Sequence, residues 1–236
     1  MKKVVILIGN YGSGKTEIAL NMAVRAAAEG KRTQVVDLDR INDYFRMSDH
    51  VKLLDERKIE LVSPTFAGAG LTQTNMPAAV GSAFARDWDL VIFDVGGDAA
   101  GALSLARYHM DFAALEPGQL EVYDIVNIRR PMSETADKIL KLKEDMEGFA
   151  RQRVTGFIHN SNLQDWAGAG DLRDGYPVIR EASEKSGIPV VFTAGRPAFL
   201  EEFLRSGDLE ERFVGTPLPL ELYMKRSWSN FTRGRL

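Results

Sequence analysis

The chain has 236 residues and a mass of 26.2 kDa, room for one sizeable domain or two small ones. Apolar residues make up 44% and charged residues 27%, an ordinary balance for a folded protein, and 30 basic against 33 acidic residues give −3, which argues against holding DNA by bulk charge alone and leaves a local basic patch open. Cysteine is absent, which excludes disulfides, thiolate nucleophiles, zinc fingers and a protein-held iron–sulfur cluster, and three histidines (His50, His109, His159) argue against a dedicated transition-metal site. Met1-Lys2-Lys3 precedes an apolar run too short for a secretory leader, and no stretch of 18 apolar residues occurs, so a cytoplasmic location is expected.

In chain order, Val4–Ile8 has the pattern of a buried strand and Thr16–Ala28 that of an Ala-rich helix stopped by Gly30. Strands are expected at Gln34–Asp37 and Ile59–Val62, a helix at Met76–Ala85, and a strongly apolar strand at Asp89–Val95. A strand at Glu121–Ile128 precedes a long helix, Ser133–Phe149, opened by Ser133. Val154–His159 and Pro189–Thr193 are expected strands around a helix at Val178–Lys185, and Phe199–Leu204 is a last short helix. Strands alternating with helices at this spacing predict one α/β domain over 1–221, three-layered, with a mostly parallel sheet and helices on both faces. Residues 222–236 form a basic C-terminal tail. Two Gly-rich polar segments, Phe66–Asn75 and Leu163–Asp174, are expected as long loops, either functional or plain surface excursions.

Gly9-Asn10-Tyr11-Gly12-Ser13-Gly14-Lys15-Thr16 matches G-x-x-x-x-G-K-S/T between an apolar strand and a helix start. Such a loop wraps an anion with backbone N–H groups and the helix N-terminus. Lys15 would reach the β- and γ-phosphates, and Thr16 would offer its hydroxyl to Mg²⁺. That chemistry requires a carboxylate at the end of another buried strand. Asp94 provides it, and Asp94-Val95-Gly96-Gly97 would let the Gly97 N–H sense a γ-phosphate. Asp37 and Asp39 close the second strand on one face of the extended chain, where either would reach the metal's water shell or serve as a surface pair.

Together these motifs resemble the MinD/ParA and nitrogenase-iron-protein group of P-loop ATPases, from Lys3 to about Pro197. The resemblance implies that Asp39 begins the first switch and helps orient the attacking water, with Arg40 where the group usually has proline. Phe93-Asp94-Val95-Gly96-Gly97-Asp98 is similar to the iron protein's Y-D-V-L-G-D, which makes Asp98 a second candidate for that role. Gly101 stands where the iron protein has its cluster cysteine, so electron donation is not implied. Asn10 stands at the signature lysine of MinD/ParA proteins, so a nucleotide-dependent homodimer is possible but not implied. Asn160 matches the family's adenine-reading asparagine, although a plain turn residue would look the same, and Gly195-Arg196-Pro197 would close over the base. With no N-K-x-D guanine motif, ATP is favoured over GTP.

The expected function is a switch driven by Mg-ATP, with ADP as product, acting on an unidentified protein partner. A P-loop kinase or ligase is the rival, using Arg129-Arg130-Pro131 and Arg173 around a small acceptor; a module that binds nucleotide without turnover is the third reading. In the tail, Met224, Trp228 and Phe231 share a helical stripe beside Lys225 and Arg226. The stripe is short and Ser229, Asn230 and Gly234 are weak helix formers, so a stable membrane anchor is not the favoured expectation.

Overall fold

A computed structural model describes residues 2–39, 47–63, 76–162 and 167–224, with backbone alone at 48 and 76–78. Strand β1 (Lys3–Ile8) sends alternate side chains into two cores. Val4, Ile6 and Ile8 pack with Val80, Ala102, Leu105 and Met146 on one face, and Val5 and Leu7 with Ile18, Leu20, Ala23 and Leu54 on the other. Both faces are covered by helices, which is why the strand is apolar without interruption.

From there the chain runs through α1 (Lys15–Ala28), β2 (Thr33–Asp37), α2 (Val51–Glu56), β3 (Glu60–Val62), α3 (Met76–Ala85) and β4 (Leu90–Asp94). It continues with α4 (Ala99–Ala106), α5 (His109–Ala113), β5 (Leu120–Val126), α6 (Ala136–Ala150), β6 (Gly156–His159), α7 (Ala169–Ser186), β7 (Val190–Gly195), α8 (Pro197–Leu204) and β8 (Thr216–Pro219). The sheet order is β3-β2-β4-β1-β5-β6-β7-β8. Every neighbouring pair is parallel, so all the carboxyl ends lie along one edge.

Four expectations need correction. The segment Leu163–Asp174 is not one long loop, because α7 begins at Ala169. Asp171 Oδ2 accepts the Gly168 N–H at 3.0 Å and starts the helix, and Pro177, which looks like a boundary, is carried inside it. The buried face of Leu172, Tyr176, Ile179 and Ala182 outweighs the hydrogen bond that proline cannot make. Helix α6 opens at Thr135, whose hydroxyl accepts from Lys138 N, and not at Ser133. The short helices α2, α4 and α5 were not expected; α5 brings Phe112 edge-on against Phe84 and Phe93. Strand β8 was also missed, since Pro217 and Pro219 suit only an edge strand.

Arg40, the segment Phe66–Asn75, residues 163–166 and tail residues 225–236 lie outside the described residues. Leu222, Tyr223 and Met224 lie within them and pack on the body of the domain. Among the described residues, no helix is long and apolar enough to cross a membrane.

Candidate functional site

Parallel pairing aligns acids on three of four adjacent strand ends. Asp37 of β2 sits opposite Asp94 of β4, Asp94 opposite Leu7 of β1, and Ile8 opposite Asp124 of β5. Between them the loop 9–14 leaves β1 and turns into α1 through left-handed backbone at Gly14 (φ 99°).

Lys15 is 6% exposed, and its Nζ donates to the carbonyls of Gly9 (3.2 Å) and Asn10 (2.9 Å), within its own loop. Burial lowers its pKa, against the pull of Asp94, Asp39, Asp124 and Asp98. Asp94 is 1% exposed, with neither carboxylate oxygen hydrogen-bonded. Burial raises its pKa, opposed by the neighbouring Thr16 hydroxyl and Lys15 ammonium. The Ser13 hydroxyl in the same loop is buried without a partner as well. A cation and an anion side by side, with polar atoms left over, describe a site shaped for something the protein alone does not supply.

The other predicted acids hold different positions. Asp37 is engaged: Oδ1 accepts the Asp39 N–H at 3.0 Å and Oδ2 the Ser63 hydroxyl at 3.1 Å. It therefore shapes the turn that presents Asp39, and burial next to Asp94 raises its pKa. Asp39 lines the cavity at the mouth of the loop. Asp98 caps α4, its Oδ1 accepting the Gly101 N–H at 2.7 Å. Among the described residues no three His, Cys, Asp or Glu side chains form a self-sufficient metal cage.

Gly97 lies against the loop: a Cβ there would fall 2.6 Å from Tyr11 N and Cα and 2.8 Å from Lys15 Nζ. Gly101 packs equally close to Gly96, where a Cβ would sit 2.5 Å from its Cα. A cysteine at 101 would not fit this backbone.

The cavity continues past Asn160 toward β7 and β8. Asn160 is 2% exposed, and its Nδ2 donates to Ser13 O at 2.8 Å, bracing the loop from behind. Beyond it lie Leu172, Gly195, Arg196, Phe199, Leu220, Leu222 and Met224, a mostly apolar wall, with the Arg196 guanidinium 5.6 Å from the Phe199 ring centre. Pro197 opens α8 directly behind Arg196.

Arg129 is ion-paired to Asp171 (2.7 Å) and Asp174 (2.5 Å), and Arg173 to Glu202 (3.0 Å). Three features escaped the sequence reading. Asp124, held up to about 7 by burial, stands behind Gly9, and an acid inside the apolar run Val122–Val126 was the signal for it. Glu17 and Asn21 of α1 clasp the chain at 221–224. The apolar wall itself has no motif.

Comparison with solved structures finds the same fold in FtsY proteins. Cell division protein FtsY from Thermotoga maritima superposes with a TM-score of 0.55 at 22% identity, over 87% of this chain and 69% of that one. The fold is that of a P-loop NTPase. Chloroplast FtsY from Physcomitrella patens gives 0.55 at 20% identity, over 82% and 59% of the two chains. The signal recognition particle receptor FtsY from Elizabethkingia anophelis in complex with GDP gives 0.52 at 18%, over 82% and 57%. The chain thus spans less than two thirds of most of these proteins, and identities this low establish the fold alone. No protein-family model matches the chain, and no curated protein matches it in sequence.

Proposed function

We propose that the chain is a P-loop switch of the MinD/ParA-like type that binds Mg-ATP and Mg-ADP across the strand ends and hydrolyses ATP. The observation that carries this reading is the adjacent pair of Lys15, turned onto its own loop's carbonyls, and Asp94, with both oxygens unpaired. A phosphate chain and a divalent cation would satisfy both. Gly9, Asn10, Tyr11, Gly12, Ser13 and Gly14 form the cradle and Lys15 its charge. Thr16 and Asp94 would hold Mg²⁺, with Asp37 and Asp39 behind them and the remaining ligands from phosphate and water. The ion, when bound, neutralises phosphate charge.

Because phosphoryl transfer passes through a loose transition state, positioning matters more than a strong base. Asp39 and Asp98 orient the attacking water, and Gly97, already against Tyr11 and Lys15, senses the terminal phosphate. Asn160 reads the adenine edge, with Arg196 and Pro197 beside the base. Binding and release of the terminal phosphate would order and free the segments around Asp39 and Gly97, and a protein partner or a second copy of the chain would respond to that change.

Guanine is the second reading, favoured by the FtsY relative solved with GDP. Competition decides it: GTP displacing bound ATP as well as ATP does would assign the site to guanine. Transfer to a small acceptor is less well supported, because Arg129 and Arg173 are already ion-paired to carboxylates of α7 and α8. Calorimetric titration tests the core reading. Lys15→Ala is expected to weaken ATP by about 100-fold, the scale of two lost charge-assisted bonds; unchanged affinity would overturn it.

A further inference from the structure

Helix α7 begins on a stretch of chain with little bulk to hold it. From Ala167 to Gly170 no side chain is larger than a methyl, and a Cβ at Gly168 or Gly170 would stand in open space. Yet Ala167, Gly168 and Leu172 line the cavity on the side of the apolar wall. The tie runs through Asp171, which is 6% exposed. Its Oδ2 accepts the Gly168 N–H, and its Oδ1 accepts from Arg129 Nε at 2.7 Å. Arg129 also donates Nη2 to Asp174 at 2.5 Å. The arginine is placed in turn by Asn127, just past the end of β5. Asn127 Oδ1 accepts the Arg129 N–H at 3.0 Å and the Asn162 N–H at 3.2 Å, and its Nδ2 donates to Asn162 O at 3.0 Å. One buried asparagine thus joins the ends of β5 and β6, and the arginine carries that junction across to α7.

We propose that Arg129 is a positioning residue that holds the start of α7 against the cavity and so sets the affinity for the nucleoside half of the ligand. The inference rests on the nucleotide reading above and adds to it a residue that does not itself line the cavity. Glycine-rich backbone loses the most freedom on ordering, so a wall built from it favours binding only when something else has already fixed it. A guanidinium suits that task because its planar fork engages two carboxylates at once, and the nearly buried Asp171 needs a charged partner where it stands. The phosphate end, built on β1 and α1, makes no use of this clamp.

The test sets a whole nucleotide against its phosphate end. With a non-hydrolysable ATP analogue and pyrophosphate as probes, Arg129→Gln is expected to bind the analogue about tenfold more weakly and pyrophosphate within about twofold of wild type. The backbone tie to Asn127 survives that substitution, and pyrophosphate binding reports that the loop is intact. Asp171→Asn keeps an acceptor for the Gly168 N–H. Combined with Arg129→Gln, it should weaken the analogue little beyond Arg129→Gln alone, because both changes remove the same interaction. Wild-type affinity for the analogue in Arg129→Gln would overturn the proposal. Equal losses for the two probes would overturn it too, making the arginine a general support of the fold, and so would fully additive losses in the double variant. Lys15→Ala run in parallel keeps the two readings apart. If it binds the analogue like wild type, the nucleotide reading fails and this one with it; if it weakens while Arg129→Gln does not, Arg129 alone is misassigned.

Discussion

The two ends of the cavity are built on opposite principles. At the β2-β4-β1-β5 end, Lys15, Asp94, Asp37 and Asp124 are all buried, each with a pKa displaced by burial. At the β7-β8 end the wall is Phe199, Leu220, Leu222 and Met224, with Gly195 contributing backbone. Concentrated buried charge is costly and is retained where a ligand can answer it, whereas an apolar wall answers shape and stacking. Geometry at the first end should therefore be unforgiving, and the second end should tolerate change and contribute affinity piecemeal.

The largest effect should come from crowding the charged end. Gly97→Ala puts a methyl 2.6 Å from Tyr11 backbone, which cannot swing aside as a side chain would. The clash, about 2 kcal/mol, is relieved by moving Gly97 off the loop, and binding that needs the contact restored weakens by roughly thirtyfold. Calorimetry returning wild-type affinity would show that the close contact between Gly97 and the loop is not part of the binding state. Asp39→Asn and Asp98→Asn should instead lower turnover by about tenfold or more while leaving affinity nearly intact. Asn caps a helix as well as Asp, so Asp98→Asn removes charge without loosening α4, whereas Asp98→Ala would also cost about 1 kcal/mol of cap. Both Asn variants turning over at the wild-type rate would remove the water-orienting role.

The apolar end should behave differently. Phe199→Ala and Leu220→Ala are expected to weaken ATP about three- to tenfold and to leave pyrophosphate binding unchanged, since they touch only the base side. Equal losses for both ligands would erase the distinction between the two ends.

The same contrast explains what could be read from the residues alone. The loop 9–16 and Asp94 are set by local spacing, so their places at the strand ends were legible, as was the strand–helix alternation around them. Asn10 and Arg130 were visible as residues, but their hydrogen bonds, to Pro131 O and to Gly12 O, each span about half the chain and depend on β5 lying beside β1. The wall of Leu172, Phe199, Leu220 and Met224 is assembled from four segments with no shared pattern. Pro177 and the β8 prolines misled because local propensity was outweighed by buried contacts. Asp98 shows the converse, a motif position that also does ordinary work as a cap.

Buried charge at the first end should also leave a pH signature. Asp124 has its pKa raised to about 7 by burial. Between its unfolded value near 4 and that folded value, the native state holds more protons than the unfolded one, so its contribution to stability falls as pH rises through the window. Asp124→Asn should then raise the melting temperature of the nucleotide-free protein at pH 8 by about 3–6 °C, and the gain should fade by pH 5. A gain independent of pH would mean that packing, and not charge, is responsible.

The smallest effect is expected where the apolar end is fastened. Glu17, one residue past Thr16, accepts the Tyr223 N–H on Oε1 (2.8 Å) and the Met224 N–H on Oε2 (3.0 Å). One turn later, Asn21 exchanges a pair of hydrogen bonds with the Glu221 backbone, accepting at 2.8 Å and donating at 2.9 Å. Two side chains at i and i+4 on α1 thus hold the segment that carries Leu222 and Met224 against the cavity. Burial raises the Glu17 pKa while the two backbone N–H groups pull it down, so the carboxylate is partly compensated where it stands. Glu17→Gln keeps one acceptor of two and removes the charge, a loss of about 1 kcal/mol. Exchange of the Tyr223 and Met224 amides should then quicken about fivefold, with β1 amides unchanged, because the segment opens locally and not with the whole fold. Unchanged exchange at those two amides would mean that the apolar contacts of Leu222 and Met224 hold the segment without the clasp.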